Sequence, residues 1–418
     1  MYTAKNLKLL ALSIAVLTLA LKTTISEADD FNKTIEKALK FGQDDASYGQ
    51  IKFDVRVRYD NSDSENPRKI GAEAFTGRLR LGYLTPVYQS FQAYAEYEGN
   101  QILGADRFDS GRNGKSQYER IADPQEQELN QLWLSYKGVP SSEIKFGRQI
   151  VQFDNERFIG PAAWRQLQRT FDAVLISNQS LPNTTIKVGY LIRMLNTDST
   201  LQDMELPLAN IAYKFENIGT LSSYAYLIDE RNLIENSNQS YGVRFDGTRR
   251  ITDQWSLLYT AEYAYQRDYA SNPTNYQIDY YHVIGGASAY GVTLKAGMEQ
   301  LGGKGLNKTF DTPLGLLHRF NGWADLFLVT PNDGLRDIYV TTEANLMGSL
   351  KLTATYHDFF DDSGSKHYGD EWDFLVSSVF FKHYTLSAKY AYFNAEKAGS
   401  IISKYDTQKL WLYADLSF

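Results

Sequence analysis

Lysine and arginine recur at every second position in two early segments, and that spacing raises the first chemical question. In Gln50–Asp60, Lys52, Arg56 and Arg58 alternate with Ile51, Val55, Val57 and Tyr59, with Asp54 and Asp60 on the cationic side. In Ala74–Tyr83, Thr76, Arg78 and Arg80 alternate with Phe75, Leu79, Leu81 and Tyr83. Successive side chains of an extended chain point to opposite faces, so each segment has one apolar and one charged face. A third segment, Phe91–Asn100, sets Gln92, Tyr94, Glu96, Glu98 and Asn100 beside those arginines, while Lys187 and Arg244 extend the cationic set further along. Two chemistries fit. Arginines and glutamates of neighbouring strands can brace a wall through ion pairs, or an excess of guanidinium groups in a confined lumen can attract and orient anions.

Few other residues point to chemistry. The five histidines, His282, His318, His357, His367 and His383, lie in no His-x-x-x-His spacing, and neither a Gly-x-Ser-x-Gly elbow nor a phosphate-binding glycine loop is present. His318 and His357 read as polar loop or rim residues. Cysteine is absent, which excludes disulfides, iron–sulfur clusters and thiolate zinc sites. The run from Asp60 to Asn66 lacks the spacing of a calcium loop and reads as a solvated turn. No catalytic role, metal, cofactor or nucleic-acid partner is expected.

The elements that would position these residues are strands. Eighteen strand-like runs follow one another from Gln50 to Phe418, and no apolar run after the first 21 residues is long enough for a membrane-spanning helix. Connections after odd-numbered runs are often long (101–128, 153–169, 301–335), and those after even-numbered runs are short (138–142, 347–348, 382–383). That alternation belongs to outer-membrane barrels, and an even count places both chain ends on one side. A soluble propeller or sandwich would have shorter strands and no such asymmetry. The composition agrees: 43% hydrophobic residues with 30 Tyr, 22 Phe and 6 Trp, rings suited to a boundary between hydrocarbon and water. The negative mean hydropathy reflects a polar lumen and loops.

Residues 1–28 read as a secretory signal: Lys5 and Lys8, an apolar run from Leu9 to Leu21, and a Ser26-Glu27-Ala28 cleavage site. Their removal takes away three lysines and one glutamate, which moves the formal net charge from −7 to −9. Residues 29–47 form a short periplasmic segment in which Phe31, Ile35 and Leu39 predict an amphipathic helix over Phe31–Phe41, stopped near Gly42. Residues 48–418 form the barrel. Its last strand alternates Leu410, Leu412, Ala414, Leu416 and Phe418 outward with Lys409, Trp411, Tyr413, Asp415 and Ser417 inward, and closes on the first. The expected class is therefore all-β, a transmembrane antiparallel up-and-down barrel of about 18 strands with a short N-terminal periplasmic helix. It is embedded in outer-membrane lipid and offered to the barrel assembly machinery through the strand ending at Phe418.

Two stretches carry a family resemblance. The first runs through Gly147-Arg148-Gln149, Asp154, Arg157-Phe158-Ile159-Gly160, Trp164-Arg165-Gln166 and Arg169-Thr170-Phe171-Asp172. The second comprises Thr312-Pro313-Leu314, His318-Arg319-Phe320-Asn321-Gly322-Trp323-Ala324-Asp325 and Gly334-Leu335-Arg336-Asp337. Together they resemble the alginate-export family of outer-membrane proteins, which implies an 18-stranded barrel passing an anionic polyuronate through an arginine-rich constriction. The resemblance places Arg148, Arg157, Arg165 and Arg169 with Lys52, Arg56, Arg58, Arg78, Arg80, Lys187 and Arg244 as pore-lining residues. Arg157, Arg165 and Arg169 lie in a loop whose Phe158 and Trp164 favour folding inward, where guanidinium forks meet carboxylates of a solute or pin the loop through Asp154, Glu156 and Asp172. The implied function is an outer-membrane channel for anionic or polar solutes, including a polysaccharide. A general or substrate-specific porin for uptake of small organic solutes is the alternative, and an outer-membrane barrel enzyme the reading from a different class.

Overall fold

A computed structural model describes residues 25–346, 348–396 and 404–418. The expected signal therefore lies mostly outside the described residues. A helix, α1 (Ile25–Leu39), precedes eighteen strands: β1 (Gln50–Ser64), β2 (Ala72–Leu84), β3 (Phe91–Arg107), β4 (Gln127–Tyr136), β5 (Ser142–Gln149) and β6 (Thr170–Asn178). There follow β7 (Thr184–Leu195), β8 (Leu201–Phe215), β9 (Gly219–Glu230), β10 (Asn238–Arg250), β11 (Trp255–Asp268) and β12 (Gln277–Ala289). The remainder are β13 (Val292–Leu301), β14 (Leu335–Leu346), β15 (Leu350–Phe360), β16 (His367–Phe380), β17 (Tyr384–Ala395) and β18 (Thr407–Ser417).

Each strand pairs antiparallel with its neighbours in sequence, and β1 closes the sheet on β18, with Arg56 opposite Asp415. Closure removes every sheet edge, the condition for a sheet to sit in hydrocarbon. Leu81, Leu132, Leu134, Phe146, Val243, Val283 and Val340 point outward and are exposed, whereas Arg58, Thr76, Arg78, Glu98 and Asn100 point inward and are buried. A Lys or Arg facing lipid at mid-depth costs ~2–4 kcal/mol, so this alternation fixes the register. Tight turns join one end of the barrel: Tyr290-Gly291 is a two-residue hairpin loop with positive φ at both residues, and Phe381 and Lys382, also at positive φ, open a three-residue one.

Helix α1 ends at Leu39, two residues before the predicted end at Phe41, and begins at Ile25, upstream of the predicted Phe31. It docks at the tight-turn end. Asn32 donates to Phe381 O and accepts from Tyr384 Oη, and Glu36 pairs with His383 at 2.8 Å. The Asp60–Asn66 turn is shorter than expected. Strand β1 continues to Ser64, because residues 60–62 keep partners on both β2 and β18 and Ser64 still pairs with Thr407.

Candidate functional site: two loops folded into the lumen

The arginine wall forms as the alternation predicts, but its charges are engaged. Register sets Arg56 directly opposite Arg78, an unfavourable pairing of like charges that nearby carboxylates relieve. Arg56 Nε lies 2.6 Å from Asp415 Oδ1, Arg78 pairs with Asp54, and Arg80 pairs with Glu98. Arg58 is 1% exposed between Asp60, at 2.9 Å, and Asp123, and it donates to Trp164 O at 2.8 Å. Arg56 reaches Ala163 O and Trp164 O at 3.3 Å. The wall thus holds a loop.

That loop, residues 150–169, runs inside the barrel. Phe158 contacts the rings of Tyr224, Tyr226, Tyr280 and Phe310, with centroids 4.9–6.0 Å apart. Val151, Phe153 and Ile159 join a buried cluster with the inner faces of β8 and β9, which carry Met204, Leu206, Leu208, Tyr224, Tyr226 and Ile228. Burying a ring of this size contributes about 1.5–3 kcal/mol, enough to hold a loop that a polar wall would leave in water. On the opposite side Gln166 N donates to Asp123 Oδ1 at 2.7 Å and Gln168 N to Glu98 Oε2 at 3.1 Å.

The loop of residues 302–334 folds in to meet it. Gly160 N donates to Leu314 O and Leu316 N to Glu156 O, both at 2.9 Å. Arg157 Nε lies 2.7 Å from Glu299 Oε1, while its other nitrogens reach Thr312 Oγ1 and Asn321 Oδ1 at 3.1 Å. Inward acids hang the second loop from the wall: Trp323 N donates to Asp373 Oδ2 and Ala324 N to Glu371 Oε1. His318 stacks on Trp164 with centroids 4.2 Å apart, and its Nδ1 lies 2.7 Å from Asp325 Oδ1. Its Nε2 lies 2.6 Å from Lys389 Nζ, and that ammonium also sits 3.6 Å above the Trp323 ring. Burial drives the His318 pKa from 6.5 to about 3, with Lys389 pushing the same way and Asp325 opposing. The neutral ring therefore donates from Nδ1 and accepts at Nε2.

Space remains at the tight-turn half. A cavity of about 700 Å³ is lined by Lys52, Arg80, Tyr94, Glu96, Trp133 and Lys145 among others. A neighbouring cavity of about 230 Å³ shares Lys145 and adds Glu143 and Lys187. Among the described residues Lys52, Lys145 and Lys187 make no ion pair within 4 Å, Glu143 being a more distant acid beside Lys145; Lys145 lies over Trp133 at 4.5 Å and Lys187 over Phe153 at 5.5 Å. A third cavity, of about 430 Å³, takes in Arg244, Lys295, Glu299, Arg319, His282 and His357.

The expected lining residues thus divide. Lys52, Arg80, Lys187 and Arg244 border cavities, whereas Arg58, Arg78 and Arg157 are spent in buried ion pairs. Arg165 pairs with Asp325 at 3.2 Å, and Arg169 is buried without a carboxylate partner among the described residues. Arg157 and Arg165 therefore pair with Glu299 and Asp325 rather than with Asp154, Glu156 and Asp172. Arg148 is a correction. It faces outward with Phe146 and pairs with Asp172 at 2.8 Å, because Lys145, Gly147 and Gln149 take the inward positions of β5. His318 and His357 are buried inside the lumen rather than at the rim; His357 Nδ1 lies 2.9 Å from Asp337. Sequence reasoning missed Lys145, Lys295 and Lys389, although the alternation that found Lys52 would have found Lys145 and Lys295. It also missed the apolar inner wall, whose signal is confined to the apolar runs 206–209 of β8 and 224–228 of β9.

A family profile described as alginate export matches residues 48–295, more than half of the chain. A comparison with curated proteins returned no match. Among solved structures, OccAB4 of Acinetobacter baumannii is similar at 15% identity and a TM-score of 0.68, covering 89% of this chain and 98% of that one. OccAB3 of the same organism is similar at 13% identity and a TM-score of 0.70, covering 88% and 99%. OpdK of Pseudomonas aeruginosa, solved with vanillate, is similar at 15% identity and a TM-score of 0.65, covering 88% and 99%.

Proposed function

Since the chain belongs to the alginate-export family of outer-membrane β-barrels, we propose that it is a porin admitting small organic solutes, with a preference for anions. The observation that carries this reading is the contrast between engaged arginines and unpaired lysines. The two interlocked loops fill mid-lumen with side chains, which favours small solutes over a polysaccharide strand, for which both loops would have to leave. Below them, Lys52, Lys145 and Lys187 present ammonium groups that make no close ion pair to the same side of the lumen. Cations unpaired in a poorly screened channel raise the local concentration of anions. Trp133 and Tyr94 beside them offer ring surface for the apolar part of an organic acid. The vanillate bound by OpdK is a compound of this kind, and it serves as a probe. Transport rather than catalysis is what the family and the similar folds support.

The remaining assignments follow from this orientation. The tight-turn end with α1 faces the periplasm, cleavage after Ala28 would remove the first turn of α1, and the strand ending at Phe418 is the segment that the assembly machinery engages.

Planar-bilayer reversal potentials across a potassium chloride gradient test the proposal. The wild type should favour chloride, and replacing Lys52, Lys145 and Lys187 together with glutamine should abolish the preference. Cation selectivity in the wild type, or an unchanged preference in the triple variant, overturns it.

A further inference from the structure

The 430 Å³ cavity lies on the wall opposite the lysines and shares no lining residue with the 700 Å³ one. Its chemistry is different. Each cation on its surface lies within 4 Å of a carboxylate, Arg244 by Glu262 at 2.8 Å, Lys295 and Lys351 by the one Glu343 at 2.6 and 3.4 Å, and Arg319 by Glu156 at 3.5 Å, and Glu299 and Asp337 add two further acids to the same wall. Paired charges present donors and acceptors side by side while exerting little net field, so they favour neither anions nor cations. Thr341, Thr353 and Thr355 add hydroxyls from two adjacent strands, and Phe320 and Trp323 add aromatic surface from the inward loop.

Two polar atoms in this wall have no hydrogen-bond partner. Thr353 Oγ1 is one, and the other is Nδ1 of His282, a side chain 4% exposed whose Nε2 is already 2.8 Å from Tyr339 Oη. Buried polar groups are nearly always satisfied, and these two atoms are closed off from solvent in the cavity wall, so they point to a ligand that supplies the partners once a side-chain rotation turns them into it. That ligand must carry several hydroxyl groups able both to donate and to accept, an apolar face for the rings, and no net charge. The volume falls within the range of small-molecule sites, roughly 300–1,000 Å³.

We propose that this cavity is a binding site for an uncharged polyhydroxylated solute of monosaccharide size, separate from the anion-attracting side of the lumen. Trp323 in its wall is a built-in reporter. The full-length folded barrel in detergent is titrated with glucose and, separately, with glucuronate, following tryptophan fluorescence. Saturable glucose binding is expected, no weaker than that of glucuronate. T353V removes a hydroxyl that has no internal partner, so the barrel keeps its own hydrogen bonds, and glucose binding should weaken at least fivefold. K52Q, in the other cavity, should leave it unchanged. Absence of saturable glucose binding, tenfold tighter binding of glucuronate in both wild type and K52Q, or a loss in K52Q equal to that in T353V overturns the assignment. Should T353V fail to fold, the glucose and glucuronate titrations of wild type and K52Q decide it. The outcome is independent of chloride selectivity, so this site and the anion preference stand or fall separately.

Discussion

Gly160 donates its backbone N–H to the carbonyl of Leu314 at 2.9 Å, and through that bond two loops from opposite sides of the barrel become one partition. A Cβ at Gly160 would lie 2.8 Å from Glu156 Cβ, so the tight turn of its own loop that presents this N–H depends on glycine at this position. The partition is tied at both flanks, by the arginine wall of β1 and by the acids of β13, β14 and β16. Its strength governs the width of the passage.

Arg157 and Glu299 form a buried tie between loop and barrel, each 2% exposed in the side chain. Replacing Arg157 with alanine strands Glu299 without its cation, a cost on the order of 3–5 kcal/mol borne by the loop rather than by the barrel. Single-channel conductance of R157A should rise, with more frequent open-state fluctuation. E299Q in the same chain should recover part of the wild-type level, and additive effects of the two changes would show that the pair is not the tie.

Arg58 separates bracing from selectivity. Its loss leaves Asp60 and Asp123 buried together, so R58Q should lower the melting temperature of the folded barrel while leaving the reversal potential close to wild type. K145Q should do the opposite, because Lys145 makes no close ion pair and its neighbour Glu143 keeps Lys137 at 3.6 Å and the Ser135 hydroxyl at 2.6 Å. A selectivity change in R58Q with intact stability would reverse the roles assigned to arginine and lysine.

His318 gives the loop contact a pH dependence. Burial holds its pKa near 3 against 6.5 in the unfolded chain, so the docked state binds fewer protons than the undocked one. The stability it contributes is complete above about pH 6.5 and is lost as pH falls from there toward 3. Acidification across that window should loosen the loop, visible as a change in Trp164 emission and faster proteolysis between residues 302 and 334. H318Q should flatten the response, and a wild-type-like response in H318Q would assign it to the carboxylates.

The terminal ring has a partner of its own. Phe418 stacks on His383 with centroids 4.0 Å apart and 14° between planes, while His383 Nδ1 lies 2.7 Å from Ser417 O and Nε2 2.8 Å from Glu36. A stack of this kind contributes on the order of 1 kcal/mol. H383A should lower the temperature at which the folded band disappears in a heat-modifiability gel, by a few degrees. Deleting Phe418 should reduce insertion yield before it alters conductance, and normal insertion of the truncated chain would remove the terminal ring from assembly.

Much of the barrel was legible residue by residue. Strand β1 announces its faces because a period of two is dictated by the extended backbone, and charge on the lipid side is too costly to keep. Arg148 shows where that logic weakens. At the end of β5 where the long loops begin, the outer surface leaves the hydrocarbon, an outward guanidinium paired with Asp172 costs little, and residue type no longer reports its face. The loop arginines were legible as inward-folding but not in their partners. Glu299 and Asp325 are remote from Arg157 and Arg165 along the chain, and nothing local names them.

The sequence by itself determined the eighteen strands, their antiparallel order, the inward set of β1 to β3 and the closing role of the strand ending at Phe418. Each of these follows from alternation, connection length and the penalty for charge in lipid, all of which are local. Tertiary structure alone decided that Arg56, Arg58, Arg157 and Arg165 are engaged in holding two loops in place and that Lys52, Lys145 and Lys187 border open space. That division depends on which side chains the closed barrel brings within reach of one another across the lumen, a distance along the chain that no local pattern encodes.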